Sequence, residues 1–132
     1  MADPQTLAKR AVACTNWRWP DGMPVVSRSA GRWGRGRMLG DRLVSWGRHG
    51  LVESDVPPDA LPDFADPSAL GCLLAIVREA TGHDVWCQWM PSIDLDDSAG
   101  GWVVKGRHGA TYGQGATEIE ALVKTLEGLE AI

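Results

Sequence analysis

No apolar run in this sequence approaches the roughly 18 residues that a bilayer-crossing helix requires, and the opening MADPQTLAKR has no apolar signal core. A cytoplasmic protein with no membrane partner is the expectation. Cysteine is scarce: Cys14, Cys72 and Cys87 are odd in number and widely spaced, with no CxxC and no Cys/His pair at metal-ligand spacing. That argues against a zinc site and for a reducing compartment. Phosphate-binding glycine patterns are missing as well, since Gly34, Gly36 and Gly40 miss the spacing of GxxxxGK[ST] and GxGxxG and open no helix. His49, His83 and His108 fall in predicted turns, with no nucleophile, base and orienting acid at a recognisable spacing. The stretch DLDDSAGG at 94–101 alternates oxygen ligands as a calcium loop does. A calcium loop needs glycine sixth and an acid twelfth, and those places hold Ala99 and Lys105, so a polar hairpin turn is the better reading. No enzymatic activity, no cofactor and no metal are expected.

Phenylalanine and tyrosine occur once each, which leaves seven tryptophans to fill the aromatic core. Most should be buried. Trp33, between Arg32 and Gly34, is the one expected at the surface. With 132 residues, the chain sits within the usual size of a single domain and should bury roughly two thirds of the surface its unfolded form exposes.

The net charge of −4 is modest, but its distribution is not. Residues 1–52 hold nine Lys/Arg against Asp3, Asp21 and Asp41, a net of +6. Residues 53–132 hold fourteen acids against Arg78, Lys105, Arg107 and Lys124, a net of −10. Two halves of opposite sign either neutralise each other within one fold or present a charged surface to a partner. The basic excess is densest in RSAGRWGRGRMLGDRLVSWGR, Arg28 to Arg48, with six arginines, two tryptophans and one aspartate.

Asp3-Pro4 and Asp66-Pro67 each combine an acid able to cap a first turn with a proline tolerated at the first helical position, and so predict helices over about 4–14 and 67–81. The second, apolar almost all round, reads as the central helix. Thr117-Glu118-Ile119-Glu120 has the spacing of a capping box, and Ile119, Leu122, Val123, Leu126 and Leu129 recur at helical spacing, so a third helix runs over about 117–131. Between them the period is two. DVWCQWMP at 84–91 is apolar on both faces and reads as a strand inside a sheet, paired with WVVKGR at 102–107 across a turn at 94–101, with a short strand near 110–112. Residues 23–28 and 42–46 read as strands, the glycine-rich 31–40 between them as a hairpin arm or loop, and the proline- and acid-rich 52–66 as an extended connector. The whole is an α+β single domain, 1–132, with an antiparallel sheet of about 4–6 strands packed with three helices and a basic Gly/Arg/Trp hairpin region at 28–48.

LAKRAVAC and NWRW at 7–19, PDFADPSALGCLLAIVREATG at 62–82, GWVV at 101–104 and GATEIEALVKTLEGLE near the end together resemble a family of small uncharacterised bacteriophage and prophage proteins of GC-rich bacteria. The element order is similar to that of small phage α-β-α sandwich domains. The matched positions are cores and caps, so the resemblance implies a fold, a phage origin and a bacterial host cytosol, and carries over no active site. It leaves out about 24–60, where the arginines lie.

Arginine beside exposed tryptophan is the composition that protein interfaces concentrate at their energetic centres. Arg28, Arg32, Trp33, Arg35, Arg37 and Arg42 are therefore the candidate partner-binding residues. The expected function is a non-enzymatic phage accessory protein, monomer or homodimer, that occupies a bacterial host protein and inhibits host defence in the manner of an anti-CRISPR protein. Nucleic acid is the alternative partner: arginines tracking phosphates with an interleaved stacking ring suit a single strand, and the acidic second half opposes it.

Overall fold

In the computed structural model, which describes residues 3–27, 34–47, 50–95 and 98–130, each helix begins where a side chain takes up free backbone amides. Asp3 accepts hydrogen bonds from the Thr6 amide at 2.9 Å and the Thr6 hydroxyl at 2.8 Å, starting α1 (Pro4–Val12). Asp66 does the same for the Ser68 amide at 2.9 Å ahead of α2 (Ser68–Thr81), which ends at Gly82 in the left-handed conformation. Thr117 accepts the Glu120 amide at 3.1 Å ahead of α3 (Glu118–Glu130). The expected reciprocal half of that box goes elsewhere, because the Glu120 carboxylate pairs with Lys124 at 3.2 Å instead.

Three helices and antiparallel strands make the α+β fold expected, with the strands divided between two sheets. Strands β1 (Pro24–Ser27), β2 (Gly34–Leu39), β3 (Arg42–Gly47), β4 (Gly50–Ser54) and β5 (Leu61–Pro62) form one in the order β4-β3-β2-β1-β5. Strands β6 (Trp86–Leu95), β7 (Ser98–Lys105) and β8 (Thr111–Gly115) form the other in sequence order. The β2–β3 hairpin turns through Gly40 at φ 63°, with the Gly40 amide donated to Asp21. Residues 52–66, read as a connector, supply the end of β4 and all of β5. Edge strands tolerate the acids and prolines that made this stretch look irregular.

DVWCQWMP also departs from expectation. β6, which holds it from Trp86 onward, lies at an edge, β7 is central, and Trp86 and Trp89 are exposed. An apolar pattern on both faces says nothing of which neighbours a strand has, whereas Pro91 inside β6 marks an edge. The β6–β7 pairing continues to Leu95↔Ser98, so the turn between them is far shorter than 94–101 and its residues 96–97 lie outside those described.

The core runs through both sheets, joining Met23, Val25, Met38 and Leu43 to Leu73, Ile76, Val104, Leu122 and Leu126. The helix at its centre is α3, not α2: it packs on the three-stranded sheet and against both α1 and α2. Gly113 and Gly115 of β8 let the α3 backbone approach the sheet closely. Leu70, Cys72 and Leu74 of α2 remain only partly buried. Among the described residues, no helix is long and apolar enough to cross a membrane.

Arg10 of α1 clasps Glu127 of α3, its Nε donating to Oε2 at 3.0 Å. That hydrogen bond holds the Glu127 carboxyl below its ordinary value of 4.5, and the Ser68 amide holds Asp66 below 3.8. Depressed folded-state values mean that the carboxylates' contribution is fully present above the unfolded values and is lost as pH falls through the folded ones. Urea midpoints should therefore fall as pH drops below about 4.5, and less steeply for Glu127's share in Arg10→Gln. An identical acid profile in that variant would place the loss elsewhere.

Candidate functional site

Strand alternation sorts the basic hairpin into a buried and an open face. Met38 of β2 and Leu43 of β3 point into the core, while Arg35, Arg37 and Leu39 are exposed on the other side of β2. Register carries Arg42 and Val44 onto that same open face, because Leu39 pairs with Arg42 and Arg37 with Val44. The structure thus gathers three of the six expected site residues. Arg28, Arg32 and Trp33 lie outside the described residues.

The three arginines differ in what they touch. Arg37 donates to Asp66 at 3.2 Å, to the Ser68 hydroxyl at 2.9 Å and to the Gly22 carbonyl at 3.1 Å. Arg42 bridges Glu53, at 3.3 Å, and Asp55. Arg35 comes no closer than 4.0 Å to Asp63, keeps 83% of its side chain exposed, and among the described residues donates no hydrogen bond. The Asp59 carboxylate accepts a hydrogen bond from the Ser27 hydroxyl at 3.0 Å.

These pairs follow one rule. Apart from Lys124–Glu120, each described ion pair joins an arginine from before residue 52 to an acid from residue 53 onward: Arg10–Glu127, Arg18–Glu79, Arg35–Asp63, Arg37–Asp66 and Arg42 with Glu53 and Asp55. The sequence asymmetry is in large part resolved inside the fold. Such exposed pairs contribute little individually, about 0–1 kcal/mol, so their main effect on function is to cancel the field that a polyanion would follow.

Two cavities open on either side of Arg35. One, of about 340 Å³, has Pro24, Val44 and Leu51 on its walls with Arg37 and Asp66 at one side. The other, of about 420 Å³, is walled by Ala8, Val26, Leu61 and Phe64. Arg35 and Asp63 line both. Asp63 is only 14% exposed and accepts the Ala65 amide at 3.3 Å, so it is held in place by its own loop. The apolar walls were not singled out from sequence, although Pro24 and Val26 stand two apart in the predicted first strand and so share a face. Leu51 and Asp63 come from the stretch read as a connector or its border.

The tryptophans divide otherwise than expected. Trp17 and Trp19 pack edge to face at 5.2 Å against the core, Trp102 is half-buried, and Trp89 meets it edge-on at 5.6 Å. Trp86 and Trp89 are the exposed ones among those described. The Trp46 position in β3 pairs with Leu51 in β4. His83 and His108 are exposed in separate turns. Burial pushes the Cys87 thiol up to about 11 and raises that of Cys72 as well, so neither presents a thiolate at neutral pH.

Compared with known proteins, the chain shows no significant match to a family model, to a curated protein sequence or to a solved structure.

Proposed function

We propose that this chain is a non-enzymatic protein-binding module of phage origin that occupies a bacterial host protein through the Arg35 face of the five-stranded sheet. The observation that carries the reading is the contrast among its arginines: Arg37 and Arg42 are hydrogen-bonded to neighbouring carboxylates, while Arg35 has only a long ion pair of 4.0 Å with Asp63 and stands between two apolar-walled cavities. A nucleic-acid surface works by neutralising several phosphates with free cations, and a face whose cations already carry carboxylates is poorly supplied with them. Protein interfaces instead combine an apolar centre with arginine, and Leu39 and Leu51, each about two thirds exposed, extend the apolar area beside Arg35. The resemblance to phage proteins favours a host target, and a component of host defence is the class of target within this reading.

Immobilised protein should capture a host protein from bacterial lysate, and Arg35→Glu combined with Leu51→Asp should remove that capture. Retention should change little between about 50 and 200 mM salt. Binding of a labelled single strand or duplex at physiological salt, falling steeply with added salt and lost in Arg35→Glu, would overturn the reading in favour of nucleic acid.

A further inference from the structure

Resting on the protein-binding reading, we propose that the two cavities flanking Arg35 receive one extended segment of the partner, with an apolar side chain in each cavity and an aspartate or glutamate at Arg35.

The spacing comes from β1. Pro24 lines one cavity and Val26 the other. They are alternate residues of one strand and so stand on the same face, about 6.6 Å apart at roughly 3.3 Å per residue. An extended segment laid along β1 has the same interval between its own alternate side chains and keeps step with these walls. Register sets Arg35 directly opposite Val26 and Arg37 opposite Pro24, which puts the loosely paired Arg35 guanidinium beside both cavities. With β2 on one side and β5 on the other, β1 offers no free backbone edge at this point. The segment is held by its side chains and not by an added strand. Both cavities, at about 340 and 420 Å³, fall at the small end of the roughly 300–1,000 Å³ range of ligand pockets.

The sign of the charge comes from accounting for each group at the groove. Asp3 is taken up by Thr6, Asp66 by Ser68 and Arg37, and Asp63 is largely buried with the Ala65 amide on it. Arg35 has five donors and, among the described residues, uses none of them. Asp63 stands at 4.0 Å without a hydrogen bond to it, so the guanidinium fork is open to a closer anion, and a carboxylate matches it with two parallel hydrogen bonds. A nucleic acid strand brings the anion, but its bases carry polar edges that the two apolar-walled cavities would leave unpaired. A basic segment would leave Arg35 unmatched.

Panning a random dodecapeptide display library against the full chain at physiological salt tests this. The expected enrichment is two apolar residues two positions apart with an aspartate or glutamate adjacent to or between them. A synthetic peptide of that consensus should lose at least tenfold in affinity with Arg35→Gln. It should lose a similar factor with Leu51→Ser, which opens the first cavity, or Ala65→Phe, which fills the second. All three positions are exposed, and thermal unfolding confirms that each variant remains folded. No enrichment, enriched peptides lacking an acid, apolar residues at the three- or four-residue spacing of a helix, or affinity indifferent to Arg35→Gln would each overturn the inference. Lysate capture that survives those outcomes leaves the host-protein reading standing without this binding mode. Peptides of the expected pattern with no host protein captured leave the groove standing without that reading.

Discussion

Replacing Gly113 by alanine should lower the melting temperature by about 10 °C, although it adds a single methyl group. A Cβ at that place in β8 would stand 2.6 Å from the Thr125 hydroxyl oxygen, 2.9 Å from the Ala121 carbonyl and 3.0 Å from the Thr125 amide, all on α3. Two of those three atoms are backbone, and the hydroxyl is itself fixed by donating to the Ala121 carbonyl at 2.9 Å. Nothing there yields without moving the helix. Relief requires α3 to slide off the three-stranded sheet, and since α3 also packs on α1 and α2, the shift spreads through the core. Overpacking of this kind costs up to about 3 kcal/mol, occasionally more. Gly71→Ala in α2 and Gly128→Ala in α3 make the opposite case, because nothing lies within 4 Å of a Cβ at either place. Each should stabilise by about 0.5–1 kcal/mol, through helix propensity alone. A differential scanning measurement in which all three variants move in the same direction would refute the close approach of β8 to α3.

Leu126→Ala should cost about 2–5 kcal/mol, a large part of the roughly 5–15 kcal/mol that holds a domain folded. Leu126 is fully buried on α3 among Leu122, Val123 and the side chains of the neighbouring helices. Leu39→Ala removes the same atoms from a side chain 65% exposed on the open face of β2 and should stay within about 0.5 kcal/mol. The comparison is read from urea midpoints at unchanged slope. Equal losses in the two variants would mean that the core is not centred on α3.

What the sequence showed plainly were local devices. Asp3, Asp66 and Thr117 announce helix starts through groups no more than three residues away, and the structure has helices at all three. What stayed hidden depends on neighbours far along the chain. The alternation in DVWCQWMP reports side-chain polarity, and only pairing decides that its strand is an edge. The glycine and arginine content of 31–40 and the prolines of 52–66 speak against strands locally, but β2 lies between β1 and β3, and β5 needs only two residues beside β1. The carboxylates that pair with Arg37 and Arg42 sit 29, 11 and 13 residues away and arrive only through the tertiary fold. The candidate groove was half legible for the same reason. Its arginines stood out as a composition, while its apolar walls are ordinary residues of three separate stretches.

The Arg10–Glu127 clasp spans 117 residues, and that separation imposes an order on synthesis. At about 5–20 residues per second, roughly 6–25 s pass between the emergence of α1 and that of its partner on α3. Through that interval Leu7, Ala8 and Ala11, all buried in the finished protein, have no α3 to cover them. The β1–β4 meander needs no such wait, since each of its pairings joins consecutive strands and hairpins close in about 1–10 μs once both arms exist. A nascent chain caught midway should therefore carry a formed meander and an undocked first segment, since nine residues alone make only a marginal helix until α3 arrives.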